Sequence, residues 1–227
     1  MTAINAFIEG AVVYLITDGA LCKPDGTIGG YGQKVTTFAH LNAAMAVRGH
    51  ALHHLAASFA ADGGGCKKFE DLLDDQFVAD MKHWLGRFAP VFADEPFTEG
   101  FDLVLAGWSD EAAGPVIYRL SDIGSPSAKA WTWVSMTVFA APMDQAIQDR
   151  LAARSIHLSD FRPLEHGLAL LEEQRTYKEP LGEGEAPASG VGVFAQVTTI
   201  TKGFVGSSVI RWWEEDVFGG PVGGAAP

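Results

Sequence analysis

The second residue is the first candidate for chemistry. Thr2 follows Met1, and a small residue there favours removal of the methionine, which would leave Thr2 with a free amine. An N-terminal threonine joins a hydroxyl nucleophile and an amine base in one residue. The amine, with an ordinary pKa of about 8, can take the hydroxyl proton near neutral pH. Such a group needs a cation nearby to keep the amine neutral, and a carboxylate to orient that cation.

Other chemistry-bearing residues carry less. His50, His53 and His54 lie at helical spacing with His40 nearby, and two histidines four apart can chelate zinc. No acidic or cysteine ligand sits at motif spacing, so they read as a solvated or locally paired helix face, and neither metal nor cofactor is expected. The run Asp25-Gly26-Thr27-Ile28-Gly29-Gly30-Tyr31-Gly32 lacks the Walker pattern and reads as a mobile loop between strands. Cys22 and Cys66 are too few for a disulfide scaffold, and two free thiols are expected. Trp212-Trp213 reads either as an interface anchor or as one ring packed inside.

Composition narrows the function class. Of 227 residues, 48% are hydrophobic, enough for one domain with a sizeable core. The net charge of −12 argues against nucleic acid, whose affinity rests on phosphate neutralisation by Lys and Arg. The first residues show no basic region followed by an apolar run, and no apolar stretch reaches the length of a membrane span. A cytoplasmic protein without a membrane or nucleic-acid partner is the expectation.

The elements that must position Thr2 follow from patterning. Residues 3–18 read as two strands around Glu9-Gly10, the second apolar at nearly every position and hence buried on both faces. Strands are expected at 33–38 and 42–47, and helices at 50–61 and 68–92. In the latter Phe69, Leu72, Leu73, Phe77, Met81, Trp84, Leu85 and Phe88 form one stripe. A hairpin over 101–108 and 115–120, a strand at 130–139, helices at 144–154 and 163–174 and a closing hairpin over 191–201 and 204–213 complete the order. Two packed sheets with helices outside would bury this pattern. One domain over 1–218 and a flexible Gly, Pro and Ala tail over 219–227 are expected.

The opening run Thr2-Ala-Ile-Asn-Ala-Phe-Ile-Glu-Gly-Ala-Val-Val-Tyr-Leu-Ile-Thr-Asp18 resembles the first hairpin of Ntn hydrolases of the proteasome β-subunit type, as in the 20S proteasome and the bacterial ATP-dependent peptidase. Asp18 and Lys34 fall at that family's spacing from the nucleophile without a gap. Ala43 to Gly49 resembles its oxyanion strand. Residues 103–108 with 114–118 resemble its central hairpin, and Ala188-Ser189-Gly190-Val191 with the β run to Gly203 its last strands. The resemblance implies an α+β, four-layer αββα sandwich. It implies Thr2 as nucleophile, Lys34 tuning its amine, Asp18 holding Lys34, the Gly49 amide as oxyanion donor and Ser189 in a supporting hydroxyl network. It further implies a peptide or other amide as substrate and a homo-oligomer, in the family's manner a ring.

Two positions depart from the pattern. Ala186 stands where the family places an aspartate, three residues before its Ser-Gly pair. Arg48 stands where a small residue is common, which leaves the oxyanion donor open by one position. The family's other Ser-Gly pair has only Ser127 and Ser135 as counterparts. A threonine-type hydrolase, an inactive scaffold or assembly protein of the same fold and a small-molecule amidase therefore all remain in view.

Overall fold

A computed structural model describes residues 2–92, 100–126, 128–182 and 184–224. The chain opens with a hairpin of β1 (Ile4–Glu9) and β2 (Val12–Asp18), turned at Gly10 with φ of 60°. Next come β3 (Ala20–Cys22), β4 (Ile28–Tyr31), β5 (Val35–Phe38) and β6 (Ala43–Arg48). Helices α1 (Ala51–Gly63) and α2 (Asp75–Phe88) precede β7 (Asp102–Ser109), β8 (Gly114–Ser121), β9 (Val134–Met136) and β10 (Val138–Ala141). Helices α3 (Gln145–Ala153) and α4 (Pro163–Gln174) lead to β11 (Phe194–Thr201) and β12 (Phe204–Trp212).

Among the described residues this is a mixed α and β protein with three antiparallel sheets and four α-helices. One five-stranded sheet runs β10-β1-β2-β11-β12, the other β5-β6-β7-β8-β9, and β3-β4 form a two-stranded ribbon. Strand alternation explains the cores. Ala44 and Ala46 of β6 join Ile4, Val13, Leu15, Val104 and Ile117 in one cluster drawn from both large sheets. Ala43, Met45 and Val47 of the same strand join Ala56, Ala60, Phe77 and Met81 of α1 and α2. In the other sheet Phe7, Tyr14 and Ile16 pack with Ile147, Leu151, Leu170 and Leu171 of α3 and α4. Each large side chain buried this completely stabilises the fold by about 2 kcal/mol, which explains why β2 is apolar from Val12 to Ile16.

Three elements differ from the sequence expectation. Residues 68–92 are not one helix: a 3-10 turn over Phe69–Leu73 gives way at Asp74, which is extended (φ −70°, ψ 152°), before α2 starts. Acidic residues here cap rather than extend, and Asp71 accepts the amides of Lys67 and Lys68. The apolar stripe survives the break, because Phe69, Leu72, Phe77 and Met81 share a cluster. The 130–139 strand is split, β9 serving one sheet and β10 the other. The glycine-rich loop is a paired ribbon, with Ala20 opposite Tyr31 and Leu21 opposite Gly30. Of the residues at 219–224, Gly219 donates to the Ile28 carbonyl, the Ile28 amide donates to Gly220, and Thr27 bridges to Pro221; residues 225–227 lie outside the described residues.

Candidate functional site

The β1–β2 hairpin brings the first residues of the chain against Asp18. Ile4 pairs with Thr17, so the residues preceding Ile4 run alongside the end of β2. The amide of Ala3 donates to Asp18 Oδ1 at 2.9 Å. Lys34, just before β5, donates through Nζ to both oxygens of the same carboxylate, at 2.8 and 2.9 Å. The amides of Ala20 and Gly192 each donate to Asp18 Oδ2 at 3.0 Å. Asp18 is fully buried, while Lys34 and Thr2 are 5% and 7% exposed. A carboxylate removed from water this completely requires such donors, because an unpaired buried charge costs several kcal/mol. Thr2, Asp18 and Lys34, separated by up to 32 positions in sequence, thus lie in one buried neighbourhood tied through Asp18. Met1 lies outside the described residues.

Gly49 follows β6 with φ of +141°, a conformation that favours glycine. A Cβ there would lie 2.9 Å from Phe101 Cβ and 3.2 Å from both the Gly100 carbonyl and His53 Nδ1. The space is closed because His53, 2% exposed on α1, stacks on Phe101 with ring centroids 4.7 Å apart. Ser189 is buried in the loop that carries Gly192 to Asp18, and its hydroxyl accepts the Val191 amide at 3.4 Å. Ala186 is exposed on that loop, and Ser135 is exposed on β9; Ser127 lies outside the described residues.

Arg48 turns its guanidinium to Glu179, with Nη2 2.9 and 3.2 Å from the two carboxylate oxygens. Glu179 is fixed by a two-way backbone bridge to Ala188, so the loop that reaches Asp18 also reaches Arg48. Beside it Arg119 pairs with Asp102 at 2.6 Å. These residues and Gly49 line a cavity of about 340 Å³. Thr2, Asp18 and Lys34 do not line it, so it adjoins the end of β6 rather than the buried ion pair. Sequence reasoning marked Arg48 as a departure but passed over Glu179, which sits 131 residues away in a loop without periodicity.

The three helix histidines face different partners. His50 caps α1 by accepting the Leu52 amide, His53 is buried on Phe101, and His54 Nε2 lies 2.9 Å from the Thr36 hydroxyl. Burial pushes the His53 and His54 imidazoles below their ordinary value of 6.5. No group of three or more metal-ligating side chains occurs among the described residues. Both thiols are free, and burial pushes each upward, with Lys34 partly opposing this at Cys22.

Two buried polar assemblies hold the frame. Asn5 on β1 and Gln174 on α4 exchange side-chain hydrogen bonds at 2.8 Å in both directions, and Gln174 also donates to the Pro142 carbonyl. Asp216 accepts from Arg175 and from the amides of Val193 and Gly223. Burial alone would raise the Asp216 carboxyl, but these hydrogen bonds hold it below the ordinary carboxylate value. Arg175 also lies over the ring of Trp213, 4.2 Å from its centroid, while Trp212 is 54% exposed.

No helix among the described residues is long and apolar enough to cross a membrane. No protein-family model and no curated protein matches the sequence. The fold is similar to an Anbu mutant from Hyphomicrobium sp. strain MC1, with a TM-score of 0.60 at 10% identity over 93% of this chain and 88% of that one. It is also similar to Anbu (ancestral beta-subunit) from Yersinia bercovieri, with a TM-score of 0.61 at 9% identity over 94% and 88%. These neighbours correct the sequence resemblance. Assignment to the 20S proteasome and ATP-dependent peptidase type does not hold, because the structural neighbours are Anbu proteins and share only 9–10% identity with this chain. At such identities the likeness shows the fold alone, which is proteasome-like.

Proposed function

We propose that this chain is an N-terminal threonine hydrolase that cleaves amide bonds, peptides foremost, once Met1 is removed. The observation that carries this reading is the Lys34–Asp18 pair, with Asp18 also gripping the amide next to Thr2. In this scheme the Thr2 amine takes the hydroxyl proton as Oγ1 attacks the carbonyl carbon. The Lys34 cation disfavours protonation of that amine. The Gly49 amide donates to the tetrahedral oxyanion. The amine then protonates the leaving nitrogen, and water hydrolyses the ester. Ser189 supports the loop beside Asp18.

The same proposal includes one domain over 1–218, a four-layer αββα arrangement of the two sheets and four helices, a cytoplasmic location and a homo-oligomer. The long edge strand β12, with Phe204, Val209, Ile210 and Trp212 exposed, is the kind of edge that proteins cover. Ala186 and the occupied guanidinium of Arg48 favour a second reading, a non-catalytic scaffold of the same fold. Intact mass and β-lactone labelling separate the two. Loss of Met1 together with labelling at Thr2, absent in Thr2→Ala, supports the hydrolase. A retained Met1, or a processed protein that resists the probe, rejects it.

A further inference from the structure

Val193 stands at φ of 69° and is the one β-branched residue with positive φ among the described residues. That conformation is costly for such a side chain. Strain of this kind persists only where the surroundings fix it. Here the Val193 amide donates to Asp216 Oδ2 at 2.6 Å, and the Trp213 amide donates to the Val193 carbonyl at 3.0 Å. The Asp216 side chain is fully buried, paired with Arg175, and accepts the Gly223 amide at 2.7 Å.

The strained residue leads directly to Asp18. Strand β11 begins at Phe194, so the φ of Val193 sets where Gly192 stands relative to that strand. The Gly192 amide donates to Asp18 Oδ2 at 3.0 Å, and the Gly192 carbonyl accepts the Gly19 amide at 3.0 Å. No side chain fits at 192, because a Cβ would overlap Asp216 Oδ2 and lie 3.0 Å from Arg175 Nη1. Gly192 is thus held between two carboxylates, by hydrogen bond to Asp18 and by contact with Asp216.

We propose that Asp216 is a positioning residue for the Thr2 site: it holds Val193 in the left-handed conformation that aims the Gly192 amide at Asp18. Its effect on chemistry rests on the hydrolase reading, whereas its hold on Gly192 does not. Without the Asp216 acceptor, Val193 relaxes to negative φ and Gly192 leaves Asp18 Oδ2. Asp18 then loses one of the backbone donors that fix its carboxylate against Lys34 and the Ala3 amide.

Amide hydrogen exchange followed by NMR on the full chain reads Gly192, and β-lactone labelling reads Thr2. In the wild-type protein the Gly192 and Val193 amides should exchange at least about a hundredfold more slowly than in an unstructured peptide. Asp216→Asn keeps the side-chain shape but turns one acceptor into a donor. It leaves Val193 buried with Ala20, Ile28 and Phe194. It should speed exchange at both amides, and slow Thr2 labelling, by about tenfold each. Val193→Gly removes the strain, so adding it to Asp216→Asn should recover most of both. The double variant should do so while being the less stable protein, because the buried Val193 side chain is gone. A merely structural role predicts the reverse, with labelling falling in step with stability. An unprotected Gly192 amide in the wild-type protein, a measurement that needs no variant to fold, overturns the proposal. Unchanged exchange in Asp216→Asn, faster exchange with undiminished labelling, or a double variant no better than the single one also overturns it. If the wild-type protein resists the β-lactone, the hydrolase reading fails; the exchange at Gly192, faster in Asp216→Asn and restored by Val193→Gly, then upholds the hold of Asp216 on the Asp18 cradle, and its absence rejects it.

Discussion

Asp18 Oδ1 lies 2.9 Å from the amide nitrogen of Ala3, the residue that follows Thr2. The same oxygen lies 2.8 Å from Lys34 Nζ, so one atom registers the start of the chain against the Lys34 cation. Displacing Asp18 disturbs both at once.

Asp18→Asn should therefore abolish Thr2 labelling and destabilise the fold by about 3–5 kcal/mol, because Lys34 is left buried without a counter-charge. Lys34→Met should also lose labelling but destabilise less, since three backbone amides still donate to Asp18. Urea denaturation of the two variants checks the order; a costlier Lys34→Met would contradict the role given to the carboxylate.

Gly49→Ala should cost about 2–3 kcal/mol, combining strain at φ of +141° with the clash against Phe101. It should also slow β-lactone labelling by at least about tenfold by moving the amide. Unchanged labelling with reduced stability would point to another oxyanion donor.

Asn5→Ala should destabilise by about 2–3 kcal/mol, because it strands Gln174 Oε1 in the core and leaves Nε2 with the Pro142 carbonyl alone. Asn5→Ala with Gln174→Leu should recover part of that loss, and a thermodynamic cycle over the four proteins measures the coupling. Additive losses would mean the reciprocal bonds are not what fixes β1 to α4.

Acid should act in two separate windows. His53 and His54 are held below 6.5 by burial, so the unfolded chain binds protons more readily and stability falls as pH drops below about 6.5. Asp216 is held below the ordinary carboxylate value, so its contribution is full above that range and is lost as pH falls through it. His53→Gln should reduce the first slope to the share of His54 and leave the second, while Asp216→Asn should reduce the second and leave the first. Denaturation midpoints followed from pH 7.5 to about 3 read both slopes.

Trp213→Leu, which removes the ring beneath Arg175 and part of the α4 core, should destabilise by about 2–4 kcal/mol. Trp212→Ser, at an exposed ring, should cost under about 1 kcal/mol. Similar losses for both would show that Trp212 is covered in solution, as a homo-oligomer built on β12 would require.

Alternation and helical periodicity are legible in the order of the amino acids. The apolar run of β2 and the stripe of α2 are readable because neighbours in the chain set them, whereas the Thr2, Asp18 and Lys34 spacing is readable only through a family resemblance. Asp18 accepting the Ala3 amide follows almost directly, since one tight hairpin returns β2 to the first residues. Tertiary structure alone decided the rest. Asp74 takes an extended conformation and breaks residues 68–92 into two helical pieces that pack into one cluster. Residues 134–141 divide between two sheets, since each strand finds a different edge. Glu179 reaches Arg48, and Gln174 reaches Asn5, across separations of 131 and 169 residues. No local pattern records such partners, because a buried polar group specifies only that it must be satisfied, and packing determines by whom.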